Sequence, residues 1–140
     1  MLVQNMEGQM EFLNVLAAAI GAFAFGAVWY TTLSKPWIAA AGLAVDANGK
    51  PQGNGSAMPF VVGILAMIVV AGMMRHIFQM SHIETLGAAA VSGAGIGAFF
   101  VTPWLAMNYA FAMRKSALVF IDGANVIAGC TIMGIILALF

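Results

Sequence analysis

The stretch ALVFIDGANVIAGCTIMGIILALF, residues 117–140, contains a single charged side chain, that of Asp122. A helix of about 20 mostly apolar residues crosses the roughly 30 Å hydrocarbon core of a bilayer. The stretch is long enough to do so, and it lacks the short alternating pattern of a transmembrane β-strand. It predicts a membrane-spanning helix that carries one carboxylate.

Three further runs of similar length precede it. They cover residues 12–33, 58–80 and 86–113, and Arg75 is the one charge within them. Short polar links join the last three runs, so sequential helices should be antiparallel. We therefore predict one all-α membrane domain over residues 1–140, a four-helix bundle with a short interfacial helix at 37–45 after the first span.

The composition of the whole chain agrees with this class. Hydrophobic residues make up 63% and charged residues 7%, whereas an ordinary soluble domain has about 25% charged residues. The formal net charge is zero, so the chain lacks the basic footprint that binds nucleic-acid phosphates. A single cysteine, Cys130, excludes an intramolecular disulfide.

The Lys and Arg residues predict an orientation. The loops after the first and third spans contain Lys35, Lys50, Arg114 and Lys115, and the opposite side has Arg75. Positive residues favour the cytoplasmic side of a membrane. We expect both termini on the non-cytoplasmic side, and Arg75 to extend outwards from its helix end.

Small residues predict how the helices pack, because membrane helices associate through close backbone approach and interhelical hydrogen bonds. Ala18, Ala22 and Gly26 are spaced four apart on the first helix, and Gly93 and Gly97 form a similar pair on the third. Their spacing fits packing within one chain, and it also fits a seam between copies. Pro103 predicts a kink in the third helix.

Asp122 is the first candidate for a functional residue, because a carboxylate within a membrane is costly. Asn125 is three residues further along and shares its helix face. Asn108 on the antiparallel third helix and Tyr30 at the end of the first helix fall at a similar depth, so we expect Tyr30, Asn108, Asp122 and Asn125 to meet. Lys35, Arg114 or Lys115 could supply a counter-charge.

This polar cluster has two interpretations. Hydrogen bonds across helices would make it a structural contact. Alternatively, Asp122 is a protonatable group that binds a proton or a cationic ligand. A transport route needs polar groups through the full thickness of the membrane, and the middle of these spans consists largely of Gly, Ala, Ile and Phe.

A second polar group lies towards the opposite side of the membrane. It comprises Glu11, Asn14, His76, Gln79, His82 and Glu84. The two histidines are six residues apart and would point in different directions on one helix, which disfavours a metal site. We expect no metal, no cofactor and no catalytic residue, because no nucleophile, phosphate-binding or metal motif accompanies these residues.

Several short motifs resemble a known family. They are Gly26-Ala-Val-Trp29-Tyr30, Lys35-Pro-Trp37, Ala41-Gly42-Leu43, Asn108-Tyr109 before Arg114, and Phe120-Ile-Asp122-Gly123. Together they resemble the bacterial domain-of-unknown-function 1761 family of small four-helix membrane proteins. The resemblance implies this architecture and a location in the bacterial cytoplasmic (inner) membrane, and it implies no activity.

The sequence supports two functional hypotheses. The first is a non-enzymatic membrane protein that acts through helix-face contacts, either as an auxiliary subunit of a membrane complex or as a homo-oligomer. Its partners would be the lipid bilayer and other membrane subunits or further copies of itself, and not nucleic acid. The alternative is a minimal transporter or channel for protons or small cations that uses Asp122.

Overall fold

A computed structural model describes residues 2–53 and 55–140, with side chains from residue 8 onwards. Its regular elements are helical. They are α1 (Leu2–Thr32), α2 (Ser34–Ala41), α3 (Met58–Met80), α4 (Leu86–Gly95), a π-helix (Ile96–Val101), α5 (Thr102–Phe111) and α6 (Ser116–Leu137). The π-helix joins α4 and α5 into one continuous segment, named here the third span.

Four segments are long and apolar enough to cross a membrane, in agreement with the prediction. They are Gly8–Thr32, Met58–Met80, Leu86–Phe111 and Ser116–Leu137. The all-α class and the four spans are confirmed. The first helix begins earlier than predicted, so that Glu11 lies on the helix rather than before it.

The four spans lie side by side, with α6 between α1 and the third span, and with α3 on the outer side of α1. Neighbours run antiparallel: Trp29 at one end of α1 donates to the carbonyl of Ile121, and Asn14 nearer the other end donates to that of Leu137. Phe78 brings one end of α3 against α6 at Gly134. The helix α6 is therefore the centre of the packing.

Small residues permit this close packing, as membrane helices require. A Cβ on Gly97 would lie 2.7 Å from the Cα of Ile127, and one on Gly93 would collide with the carbonyl of Cys130. On the other side of α6, Ala18 and Ala22 of α1 are buried. Both small-residue motifs therefore lie at contacts within the chain.

The π-helix changes the direction in which the rest of the third span faces. Each π-helical turn takes in more residues than an α-helical turn, so one extra residue is accommodated here. Pro103, which lacks an N–H, follows directly after the π-helix in α5, and such an irregular turn is where the interior of a helix can accommodate proline. Thr102 satisfies the Gly97 carbonyl with both its backbone N–H and its hydroxyl, the latter at 2.7 Å.

The short helix after the first span is present, but the predicted bounds of 37–45 were wrong. Helix α2 begins at Ser34, because Lys35 and Pro36 lie in its first turn, where an N–H has no helical partner in any case. It ends at Gly42, whose φ of 68° is left-handed and suits glycine. Trp37 consequently lies within α2 and not at its start.

Candidate functional site

The carboxylate of Asp122 accepts three hydrogen bonds from aromatic side chains. The hydroxyl of Tyr30 donates to Oδ1 at 2.7 Å, the indole Nε1 of Trp37 donates to Oδ1 at 3.0 Å, and the hydroxyl of Tyr109 donates to Oδ2 at 2.7 Å. Asp122 is only 7% exposed. We call Tyr30, Trp37, Tyr109 and Asp122 the Asp122 cluster.

The cluster joins four elements. Tyr30 closes α1, Trp37 lies on α2, Tyr109 lies on α5 and Asp122 lies in the second turn of α6. The rings of Tyr30 and Trp37 meet edge to face with centroids 5.6 Å apart, a favoured geometry for aromatic pairs. Asp122 therefore ties α2 and three membrane helices together at one membrane face.

Tyr109 occupies the place where the sequence predicts Asn108. In a regular α-helix Asn108 would share the face of Gly97, because it is eleven positions further along, which makes about three turns. The extra residue of the π-helix moves this face forward by one position, to Tyr109. Asn108 is exposed, and the expected contact between Asn108 and Asp122 was wrong.

Asn125 lies one turn further along α6, next to the cluster rather than bonded to its carboxylate. Its Oδ1 is 3.5 Å from the position that a Cβ on Gly26 would take, and its side chain lies beside Tyr30. Among the described residues this Oδ1 is buried without a hydrogen-bond partner. The structure thus brings Tyr30, Asp122 and Asn125 close together, with Trp37 and Tyr109 beside them.

The expected counter-charges point elsewhere. Arg114 donates to the carbonyl of Ala41 at 3.0 Å, and Lys115 donates to that of Ala39 at 2.9 Å. Both bonds satisfy carbonyls at the end of α2, where the helix dipole favours cations. Lys35 is exposed. Within the part of the chain that the structure describes, Asp122 is therefore held by neutral donors and has no ion-pair partner.

The opposite end of the membrane bundle has a looser polar network around Arg75. Its Nη2 is 3.6 Å from Oε1 of Glu11 and its Nη1 is 3.4 Å from the carbonyl of Leu137. Gln79 also donates to Glu11, at 2.8 Å, and Asn14 donates to Leu137 at 3.2 Å. Arg75 crosses towards α6 instead of extending outwards, which corrects the expectation from its position on α3. We call Glu11, Asn14, Arg75 and Gln79 the Arg75 network.

An open pocket of about 320 Å³ adjoins this network, between the α3–α4 turn and the end of α6. His82 and Glu84 line it, whereas His76 faces outwards on α3. No group of three or more His, Cys, Asp or Glu side chains is placed for a metal ion within the described residues. Of the two histidines, only His82 therefore contributes to the pocket wall.

Two members of the Asp122 cluster, Trp37 and Tyr109, were not predicted from the sequence. For Trp37 the sequence contained a signal. Pro36 is compatible with the first turn of a helix, and a helix that begins there would direct the indole of Trp37 back towards α1. For Tyr109 the proline at 103 indicated an irregular helix, but it did not give the one-residue change in register.

Comparison with known proteins supports the resemblance in the motifs. A family model described as "Protein of unknown function (DUF1761)" matches residues 13–138, nearly the whole chain. No curated protein and no solved structure matches it. With four apolar helices and this match, the chain is a multi-pass membrane protein and belongs to the DUF1761 family.

Proposed function

We propose that this protein is a non-enzymatic membrane protein that acts through helix-face contacts, as a homo-oligomer or as an auxiliary subunit of a larger complex. One observation carries the proposal. The chain exposes 9137 Å², whereas a compact chain of 14.6 kDa would expose about 6,900 Å². This excess is larger than the roughly 800 Å² that each partner buries in a standard interface.

The third span offers a face for such a contact. One side of it, formed by Ala89, Gly93 and Gly97, packs against α6. On roughly the opposite side, Gly87 and Gly95 have no atoms near the position of a Cβ, and Val91 between them is 74% exposed. A backbone open on this side supports close approach by a helix of a second subunit. We call Gly87, Val91 and Gly95 the open face of α4.

Charge supports a location and an orientation. Lys35, Lys50, Arg114 and Lys115 lie near the membrane face of the Asp122 cluster, and Arg75 lies near the other face. By the positive-inside rule the Asp122 face is cytoplasmic and both termini are on the other side. The family resemblance points to the bacterial inner membrane.

The test is a mass measurement of the protein in lipid nanodiscs or released from native membranes. We expect a particle larger than one chain, composed of several copies or of one copy with another membrane protein. Gly95→Leu fills the open face of α4 and should reduce the assembly to single chains. Val69→Leu on the exposed side of α3 is the matched control and should leave the assembly intact. A strictly monomeric wild-type particle would refute the proposal.

A proton or small-cation transporter is the second candidate, and the buried Asp122 carboxylate without a counter-ion favours it. The tightly packed apolar core is an argument against transport. Ala18, Ala71, Met74 and Met133 are almost completely buried between the Asp122 cluster and the Arg75 network. Flux into liposomes decides: a wild-type flux that Asp122→Asn abolishes would support transport, and an equal flux in the two would remove Asp122 from any mechanism.

The placement of two groups supports the non-enzymatic part of this proposal. Both oxygens of Asp122 are engaged by donors, so the carboxylate is not oriented towards a substrate. Cys130 is buried at the contact between α6 and the third span. Neither group has the access that a nucleophile or general base requires.

A further inference from the structure

The pocket beside the Arg75 network lies where three elements meet: the end of α3, the turn into α4, and the end of α6. Its volume of about 320 Å³ is at the small end of ligand pockets. Its lining includes polar and apolar side chains, among them Arg75, Gln79, His82, Glu84, Phe78 and Leu137. This pocket is not part of the helix contacts proposed above, and its chemistry indicates a ligand.

Arg75 has hydrogen-bonding capacity that its protein contacts do not use. Charge-assisted bonds of a guanidinium to oxygen are about 2.7–2.9 Å long, whereas the contacts of Arg75 to Leu137 and Glu11 are 3.4 and 3.6 Å. Its Nε is buried and has no partner among the described residues. The Arg75 side chain is one-fifth exposed, and its loosely bonded guanidinium is suited to an additional anionic oxygen.

His82 is held in the pocket wall by an unfavourable backbone conformation. It follows the end of α3 with a φ of 53°, and the next N–H, of Ile83, donates to the carbonyl of Phe78 at 2.9 Å. Glycine is the usual residue at this left-handed position, since a Cβ there costs free energy. The turn would form more easily with glycine, yet this chain has a side chain that can donate a hydrogen bond into the pocket.

Both signs of charge occur around the pocket. Arg75 is cationic and His82 is a donor, and Glu84 supplies a carboxylate on the same wall. A ligand that matches this set has a phosphate for Arg75 and His82 and an ammonium group for Glu84. Phe78 and Leu137 add an apolar side, which a free phosphate would not use.

We propose that this pocket binds the headgroup of an amine-bearing phospholipid of the phosphatidylethanolamine type. The pocket lies at the end of membrane-crossing helices, where headgroups are found. Its volume suffices for a headgroup, while the two acyl chains remain in the bilayer along α3 and the third span. The phosphodiester contacts Arg75 and His82, and the ammonium group contacts Glu84.

The experiment measures binding of dihexanoyl phosphatidylethanolamine to the delipidated full-length protein by native mass spectrometry. Two soluble probes, glycerophosphoethanolamine and inorganic phosphate, distinguish a lipid from a free phosphate compound. We expect the lipid to bind at least about tenfold more tightly than either probe. Equal binding of glycerophosphoethanolamine and the lipid would overturn the proposal of a membrane lipid.

The variants separate binding from folding. Arg75→Gln should weaken lipid binding about tenfold, the loss expected for one charge-assisted bond. His82→Gly should weaken binding severalfold, although it relieves the backbone and should not lower the unfolding temperature. Met113, with a φ of 54° after α5 and with the same type of turn, provides the matched control Met113→Gly, which should leave binding unchanged.

The role of the Glu84 carboxylate is measured separately, as a preference for one lipid headgroup over another. Wild type should prefer dihexanoyl phosphatidylethanolamine to dihexanoyl phosphatidylglycerol, which has a glycerol in place of the amine, and Glu84→Gln should abolish this preference. Unchanged lipid affinity in both Arg75→Gln and His82→Gly would refute the proposed site.

Discussion

The two ends of the membrane bundle differ in how completely their polar groups are hydrogen-bonded. In the Asp122 cluster a 7% exposed carboxylate accepts three bonds of 2.7–3.0 Å. In the Arg75 network the guanidinium makes contacts of 3.4 and 3.6 Å, and its partner Glu11 is half exposed. The first arrangement leaves little unused hydrogen-bonding capacity, and the second leaves much.

The difference suggests different roles for the two ends. Fully satisfied polar networks in a low-dielectric interior hold one arrangement, because any alternative leaves a group without a partner. Loosely satisfied groups beside a pocket can accept a ligand without first breaking strong bonds. We infer that the Asp122 cluster fixes the helices to one another and that the Arg75 network provides a binding surface.

Removing the Asp122 carboxylate should produce the largest loss of stability. Asp122→Ala leaves Tyr30, Trp37 and Tyr109 without their acceptor, and the combined cost is about 3 kcal/mol for three bonds at membrane depth. Asp122→Asn keeps one oxygen acceptor and should lose about 1 kcal/mol. The free energy of unfolding in mixed micelles, titrated with sodium dodecyl sulfate, measures both.

Asp46 provides the matched control for this substitution. Its carboxylate also accepts hydrogen bonds, from the backbone N–H groups of Asn48 and Lys50, but it lies exposed in the loop after α2. Asp46→Ala should cost less than about 1 kcal/mol, because water replaces the lost partner. If Asp122→Ala were no more harmful than Asp46→Ala, the structural role of the cluster would be wrong.

A smaller effect distinguishes Tyr109 from its neighbour. Tyr109→Phe deletes one 2.7 Å bond to Asp122 and should lower the free energy of unfolding by about 1 kcal/mol. Asn108→Ala removes an exposed amide and should change it little. If Asn108→Ala were more destabilising than Tyr109→Phe, the third span would be a regular α-helix, since the π-helix is what places Tyr109 rather than Asn108 against Asp122.

The sequence predicted features that depend on where charges occur, and it failed where a local backbone irregularity decides. The four spans follow from the uncharged runs, and the pairing of Tyr30 with Asp122 follows from their common depth. Tyr109 could not be predicted, because one added residue in the π-helix rotates everything after it. The bonds of Arg114 and Lys115 to α2 depend on the end of α2 at Gly42, which the predicted bounds of 37–45 placed too late.

The smallest predicted effect compares two arginines that donate to carbonyls near the end of a helix. Arg114 bonds Ala41 at 3.0 Å, and Arg75 approaches Leu137 at 3.4 Å. Arg114→Gln should cost about 1 kcal/mol. Arg75→Gln should cost about 0.5 kcal/mol or less, because its ion pair with the half-exposed Glu11 is weak and because the variant no longer buries an unpartnered Nε. The same titration in micelles measures both, with lipid-free protein. Should Arg75→Gln prove the more harmful of the two, the Arg75 network would be a structural contact rather than a loosely bonded binding surface, and the contrast between the two ends would be lost.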